Sequence, residues 1–281
     1  MSPRIAALAT HLGPDRSEHG VAIEPDHDEI SMAIKVAREV SFRLPESSRS
    51  FDSIIFASSG IRHIFPGGGA AIAEALGLSC QAFDVTAGCA SMSLALEIGA
   101  RMNGTVLVVC SDLLSRTIDP LDPAHAPLRS FGDGAAAAVI SRDGPGPRIL
   151  AHGGRTLGRW RGFYGSKDGK LLRSIPAGEK RDLSAAYLGC WTEIGRELLS
   201  RCPAGAVPWV YASQGDAKLF PQLMRSLGLP EDRVVRTGHG HAGGADPWIA
   251  IQAAPPPPGS FALVLASGIG FTFHGTLLEM A

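Results

Sequence analysis

Phe83-Asp84-Val85-Thr86-Ala87-Gly88-Cys89-Ala90-Ser91-Met92-Ser93-Leu94 is the stretch around which this chain is organised. It opens as a short strand-like run, Ala82 to Val85, and turns on the small residues Thr86-Ala87-Gly88. It then enters an almost wholly apolar segment, Cys89 to about Met102, that predicts a buried helix. Cys89 falls at the mouth of that helix. Unpaired N–H groups and the positive end of the helix dipole favour a thiolate there. The lack of bulk at Ala87, Gly88 and Ala90 leaves room for another molecule to reach the sulfur. Strand, tight turn, nucleophile, helix is the logic of the hydrolase serine elbow, with sulfur in place of oxygen. A lone cysteine in an apolar run is more often an inert small hydrophobe, so this stretch alone leaves both readings open.

The chain has 281 residues, enough for a large core in one two-part unit or two small domains. Hydrophobic residues make up 45% and charged residues 19%, a soluble globular balance. A net charge of −1 gives no electrostatic footprint for nucleic acid or an anionic membrane. No apolar run is long enough to span a bilayer, and the N-terminus lacks a signal-peptide layout. Cys80, Cys89, Cys110, Cys190 and Cys202 are odd in number and show no CxxC spacing. That argues against a disulfide framework and against a zinc site, with a reducing cytoplasm as the simplest setting.

Outward from the nucleophile stretch, strands and helices alternate. Upstream, Arg4 to Thr10 reads as a strand and Asp28 to Leu44 as a helix capped by Asp26 or Asp28. Ser53 to Ser58 reads as a buried strand, and Ala70 to Leu76 as a short helix stopped by Gly77. Downstream, Thr105 to Cys110 is a buried strand, and Asp112 to Arg129 an irregular loop broken by three prolines. Phe131-Gly132-Asp133-Gly134 is a turn feeding an alanine-rich strand, against which something must pack closely. Asp143-Gly144-Pro145-Gly146-Pro147 then separates residues 1–145 from residues 146–281.

The second part repeats the order: strand from Arg148, helix over Asp182 to Cys202, strand Trp209 to Ser213, helix Asp216 to Leu227, and a closing hairpin of Ser260–Ala266 with Phe271–Met280. Gly153 to Lys180 is glycine-rich and basic, with Arg155, Arg159, Trp160, Arg161, Lys167 and Lys170. Such a loop either holds the phosphates of a CoA or phosphopantetheine group or is simply a solvated face. Alternation of this kind implies α/β layers.

Three segments, Thr86-Ala87-Gly88-Cys89-Ala90-Ser91, Phe131-Gly132-Asp133-Gly134-Ala135 and Gly240-His241, together with the Ser267-Gly268-Ile269-Gly270-Phe271 turn, resemble the β-ketoacyl-ACP synthase III family. The resemblance runs in order along nearly the whole chain. It implies the thiolase-like layered αβαβα fold, built from two similar βα halves. By this resemblance Cys89 is the acyl-accepting nucleophile. Its own amide and one from the Gly268–Gly270 loop would form an oxyanion hole. The chain is shorter than typical members before Cys89 and around residues 146–180, regions that shape the acyl tunnel in the family.

The ordinary condensing members carry a His and an Asn beside the Cys. Here the position matching that His is Ser213, in Ala212-Ser213-Gln214-Gly215-Asp216, and the position matching that Asn is His241. Gly240-His241-Ala242-Gly243-Gly244-Ala245-Asp246 resembles instead the acyltransferase-like, starter-unit branch, which uses a nucleophile, His and Asp. Carried over, the triad is Cys89, His241 and Asp246, with His239 fitting if the segment shifts by two residues. Asp246-Pro247 is equally how a helix begins, with Asp as N-cap. Ser213, Asp216, Arg159 and Trp160 are candidates for the substrate channel.

The resemblance thus implies an enzyme that moves acyl groups from acyl-CoA or an acyl carrier protein to a small-molecule acceptor in secondary metabolism. It implies no cofactor beyond the CoA or phosphopantetheine carrier, and no metal. Carbon–carbon condensation, as a β-ketoacyl synthase, is the neighbouring alternative. A homodimer is expected. The rival from another class is a non-catalytic subunit paired with an active homologue, as the missing His at Ser213 suggests.

Overall fold

The computed structural model describes residues 2–61 and 66–281, and His63 lies outside them. The first half runs β1 (Arg4–Leu12), α1 (Glu29–Phe42), β2 (Ser53–Ser58), α2 (Gly68–Leu76), β3 (Gln81–Thr86), α3 (Ser91–Arg101), β4 (Val106–Leu113) and β5 (Asp133–Ser141). The second runs β6 (Arg148–Thr156), α4 (Lys180–Leu199), β7 (Trp209–Ala212), α5 (Phe220–Leu227), α6 (Asp246–Ala253), β8 (Phe261–Gly268) and β9 (Thr272–Glu279).

Strand order in the first half is β3-β2-β4-β5-β1, with β3, β2 and β4 parallel and β5 and β1 antiparallel. The second half repeats it as β7-β8-β9-β6, with one parallel pair followed by two antiparallel ones. A single bridge from Val234 to Val210 stands where the first half has β3. Among the described residues the two sets of strands are paired to each other only through Arg4 of β1 and Arg148 of β6, which joins them into one nine-stranded sheet.

Side-chain alternation explains the layers. Val106 and Val108 of β4 face inward, with Met92, Leu96, Trp248 and Ile249 of α3 and α6 and with Tyr211 and Val264 of the second sheet. Leu107 and Val109 face the other way, onto Met32, Val36 and Val40 of α1. Burial on both faces is why β4 shows no polar alternation. Ala136 and Ala138 of β5 lie on the inner side and Ala135 and Ala137 on the outer, so the small residues let helices approach both faces. On the far side, Trp191, Ile194 and Leu198 of α4 and Leu223 of α5 cover Leu263, Leu265 and Phe273. The layers are therefore helix, sheet, helix, sheet, helix, the αβαβα arrangement expected from the sequence.

Several boundaries differ from expectation for local reasons. Asp28, not Asp26, caps α1, in a reciprocal box with Ser31. β4 continues to Leu113, and two 3₁₀ turns, Leu114–Thr117 and Pro123–Leu128, occupy the expected irregular loop. The expected Asp216–Leu227 helix begins as a 3₁₀ turn, Gln214–Leu219, before α5. The glycine-rich loop after β6 folds partly into a hairpin, Tyr164–Lys167 with Lys170–Arg173. No helix among the described residues is long and apolar enough to cross a membrane.

Candidate active site

The helix behind the nucleophile starts at Ser91, with Ala90 at its cap, so Cys89 sits in the preceding turn instead of the first helical turn. Gly88 makes that turn possible: its φ of 56° is in the left-handed region. A Cβ there would also lie 2.6 Å from the Ile269 carbonyl oxygen and 3.0 Å from the Ile269 nitrogen. The closing-hairpin turn of the second half is thus pressed against the nucleophile turn of the first. Other amides close these turns: Ala90 and Ser91 donate to the carbonyls of Ala87 and Gly88, and Phe271 donates to Gly268.

Cys89 is 1% exposed and lines a cavity of about 320 Å³ together with His241, Phe131, Tyr164, Tyr187, Asp216 and Ile269. His241 and the Cys89 sulfur face the same cavity, near enough for the charge of one to act on the other. The His241 Nδ1 donates to Asp246 Oδ2 at 2.6 Å. Phe131 packs edge-on against the ring, with centroids 5.2 Å apart. The His241 amide donates to the Ser130 carbonyl and its own carbonyl accepts from Gly132, which ties the imidazole to the Phe131-Gly132-Asp133 turn. Gly215 packs against the imidazole, and a Cβ there would stand 3.1 Å from the ring and crowd it.

Asp246 is the first residue of α6, but Ala245 is the cap and no side chain caps the helix. The N-cap reading is therefore overturned. The wholly buried carboxylate accepts instead from His241, from the Gln214 amide at 2.7 Å and from His239 Nε2 at 3.0 Å. His239 is thus not the alternative partner of the thiol; it holds the other oxygen of the same carboxylate. Burial alone would raise the Asp246 pKa, yet the two imidazoles hold it below the usual carboxylate value. Burial would likewise lower the His241 pKa. The charge on the Cys89 sulfur, and then the hydrogen bond to Asp246, push it well above the usual value instead.

Asp112, which sequence reasoning missed as part of the site, locks this loop to β4. Its buried carboxylate accepts from Ser59 N and from Gly244 N, at 2.7 and 2.8 Å. Gly243, at φ 64°, packs directly on it. The signal was a lone Asp ending a strand of apolar residues.

The channel candidates separate. Asp216 lines the cavity, its carboxyl raised in pKa by burial, with His241 and Lys218 opposing. Ser213 does not line it; its hydroxyl accepts from the Ser267 amide at 3.3 Å. Trp160 packs into the outer core against Phe271. Arg159 lies over the Trp160 ring and pairs with Glu179, away from the cavity. Arg155 and Lys170 of the same loop are also engaged elsewhere, with Glu197 and with the Arg116 carbonyl. The cations that reach the cavity are Arg173, Lys180 and Lys218. Of the closing turn, it is Ile269, between Gly268 and Gly270, that lines it.

Residues 83–157 match the family model for 3-oxoacyl-[acyl-carrier-protein (ACP)] synthase III. A β-ketoacyl-[acyl-carrier-protein] synthase III of Sodalis glossinidius is 33% identical over 253 residues, 80% of this chain and 76% of the relative. This chain belongs to the β-ketoacyl-ACP synthase III family. Solved structures agree in fold. The 3-oxoacyl-[acyl-carrier-protein] synthase III of Aquifex aeolicus superimposes with a TM-score of 0.86 at 23% identity, covering 99% of both chains. The acyltransferase ChlB3 superimposes with a TM-score of 0.82 at 20% identity, over 100% of this chain and 98% of its own. The family is one of acyl-transferring enzymes. In this synthase III relative the Ser213 hydroxyl faces the Ser267 amide, and the imidazole that lines the cavity is at 241.

Proposed function

We propose that this synthase III relative transfers an acyl group from a CoA or carrier-protein thioester, through an acyl-Cys89 intermediate, to a hydroxyl or amine of a small acceptor. The observation that carries the reading is that Cys89 and His241 line one cavity, with Asp246 bonded to the imidazole from behind and Ser213 outside the lining. Decarboxylative condensation draws on two neutral donors to hold an enolate. Transfer to oxygen or nitrogen needs one well-oriented base.

In the first step Cys89 yields its proton to His241 and its sulfur attacks the thioester carbonyl carbon. The tetrahedral oxyanion is held by the Cys89 and Ile269 amides. Collapse breaks the C–S bond to the carrier, whose thiolate takes the proton from His241. Acylation removes the sulfur charge that most strongly raised the His241 pKa, so the ring becomes a usable base. It then takes the proton of the acceptor hydroxyl or amine as that atom attacks the acyl-Cys89 carbonyl. Expulsion of the Cys89 thiolate restores the resting pair. Asp246 holds the ring and its positive charge throughout. Arg173, Lys180 and Lys218 suit the phosphates of the carrier. The outer edge of β3, alternately exposed and half-buried, suits pairing with a second copy.

Intact-mass measurement after incubation with short and medium acyl-CoAs tests the proposal. An acyl adduct, lost in Cys89→Ala and discharged by an added alcohol or amine, supports it. An adduct discharged only by malonyl thioesters would turn the reading to condensation. No adduct with any donor would leave the non-catalytic partner subunit.

A further inference from the structure

Away from the cavity, the other end of α3 meets the second sheet at a cluster of titratable side chains. Glu97 projects from α3, His152 from β6 and His274 from β9, and one ligating atom of each lies within 4.8 Å of the others. His274 is 2% exposed; its Nε2 donates to Glu97 Oε2 at 2.6 Å, while its Nδ1 has no hydrogen-bond partner among the described residues. The His152 Nδ1 contacts Thr276 Oγ1 at 3.1 Å, and its Nε2, also shielded from water, has no partner either. Arg101, exposed, pairs with the remaining Glu97 oxygen from outside. The shielded His152 Nε2, left unsatisfied, costs stability unless something binds it.

We propose that Glu97, His152 and His274 form a zinc site that ties the helix behind the nucleophile to the sheet of the opposite half. Two imidazoles and a carboxylate are a fitting donor set for that ion. Small rotamer changes suffice, since ligands about 2.0 Å from a tetrahedral zinc stand roughly 3.3 Å apart. The contact of His152 Nδ1 with Thr276 Oγ1 fixes its ring with Nε2 facing the metal, and Arg101 orients the carboxylate, the outer-shell support such ligands need. The fourth position is left to water. A second cluster, His11, Glu24 and His27, lacks this signature: both its imidazoles are turned onto Glu24, and none of its side-chain atoms is buried without a partner. A metal joining α3 to β6 and β9 adds a cross-link between the two halves to the core they already share.

The test uses tag-free, chelator-stripped protein carrying Cys89→Ala, which removes the reactive thiol as a competing ligand. Zinc is titrated against a chromophoric chelator, Co²⁺ substitution is followed by its visible spectrum, and melting is recorded with and without metal. Expected are one equivalent of zinc, Co²⁺ bands of nitrogen and oxygen ligation without sulfur charge transfer, and a higher melting temperature with zinc. Glu97→Gln and His152→Asn should each weaken binding by about 100-fold or more, while metal-free melting stays unchanged. Absence of binding would overturn the proposal. So would binding kept in both variants but lost in His27→Asn, or sulfur bands in the Co²⁺ spectrum.

Discussion

His241 Nδ1 stands 2.6 Å from Asp246 Oδ2, and that carboxylate spends its other oxygen on His239. One buried charge therefore orients two imidazoles, of which one faces the thiol. Replacing Asp246 by Asn keeps the volume and the bond from the Gln214 amide but removes the charge. The rate of acyl transfer should fall about a thousandfold or more, with melting changed little. A large loss of melting temperature at full activity would mean that Asp246 serves only to hold the loop.

The two imidazoles should differ in kind. His241→Gln should abolish discharge of the acyl enzyme to an acceptor. His239→Gln should leave it within roughly tenfold of the parent, since an outer-shell hydrogen bond is what is lost. Single-turnover discharge of pre-formed acyl-Cys89 measures both directly.

Titration of His241 should depend on Cys89. The folded imidazole holds its added proton above 6.5, the unperturbed value, so its contribution to stability is full below that pH. The contribution is lost as pH rises through the folded-state value. With Cys89→Ala the largest force raising that value is gone, and the loss should begin at lower pH. Imidazole ¹⁵N shifts followed against pH check this; an unmoved midpoint would contradict the coupling.

At the acid end Glu24 should govern stability. Burial alone would raise its pKa, but hydrogen bonds from His11, His27 and the Asp26 amide lower it from 4.5 to about 2. Its contribution is full above 4.5 and lost as pH falls toward 2. Glu24→Gln should melt below the parent at neutral pH, and the gap should close as the solution is acidified past that window.

Gly88→Ala should damage both folding and acylation. A left-handed alanine costs roughly 1–2 kcal/mol, and its methyl would meet the Ile269 carbonyl. Lower melting with loss of the acyl adduct is the expected pair of results. Normal acylation would show that the Ile269 turn can retreat without consequence.

Much of this was legible before any coordinates. The succession of strands and helices along both halves followed from uninterrupted apolar runs such as Val106–Val109, and the Gly88-Cys89 turn announced itself by its small residues. What local sequence could not show was which groups meet across the core. Asp246 reads as a helix cap because Pro247 follows it, and only the Gln214 amide from another segment and the two imidazoles just upstream give it a different task. Arg159 and Trp160 suggested a phosphate cradle, but Glu179 and the outer core claim them. Arg173, Lys180 and Lys218, scattered over three elements, reach the cavity without any shared motif.

The contact between Gly88 and Ile269 sets an order of events in biosynthesis. Until the ribosome has passed residue 271, the thiol lacks the wall of its chamber that Ile269 supplies. A nascent chain therefore closes that chamber only when the turn between β8 and β9 has been made.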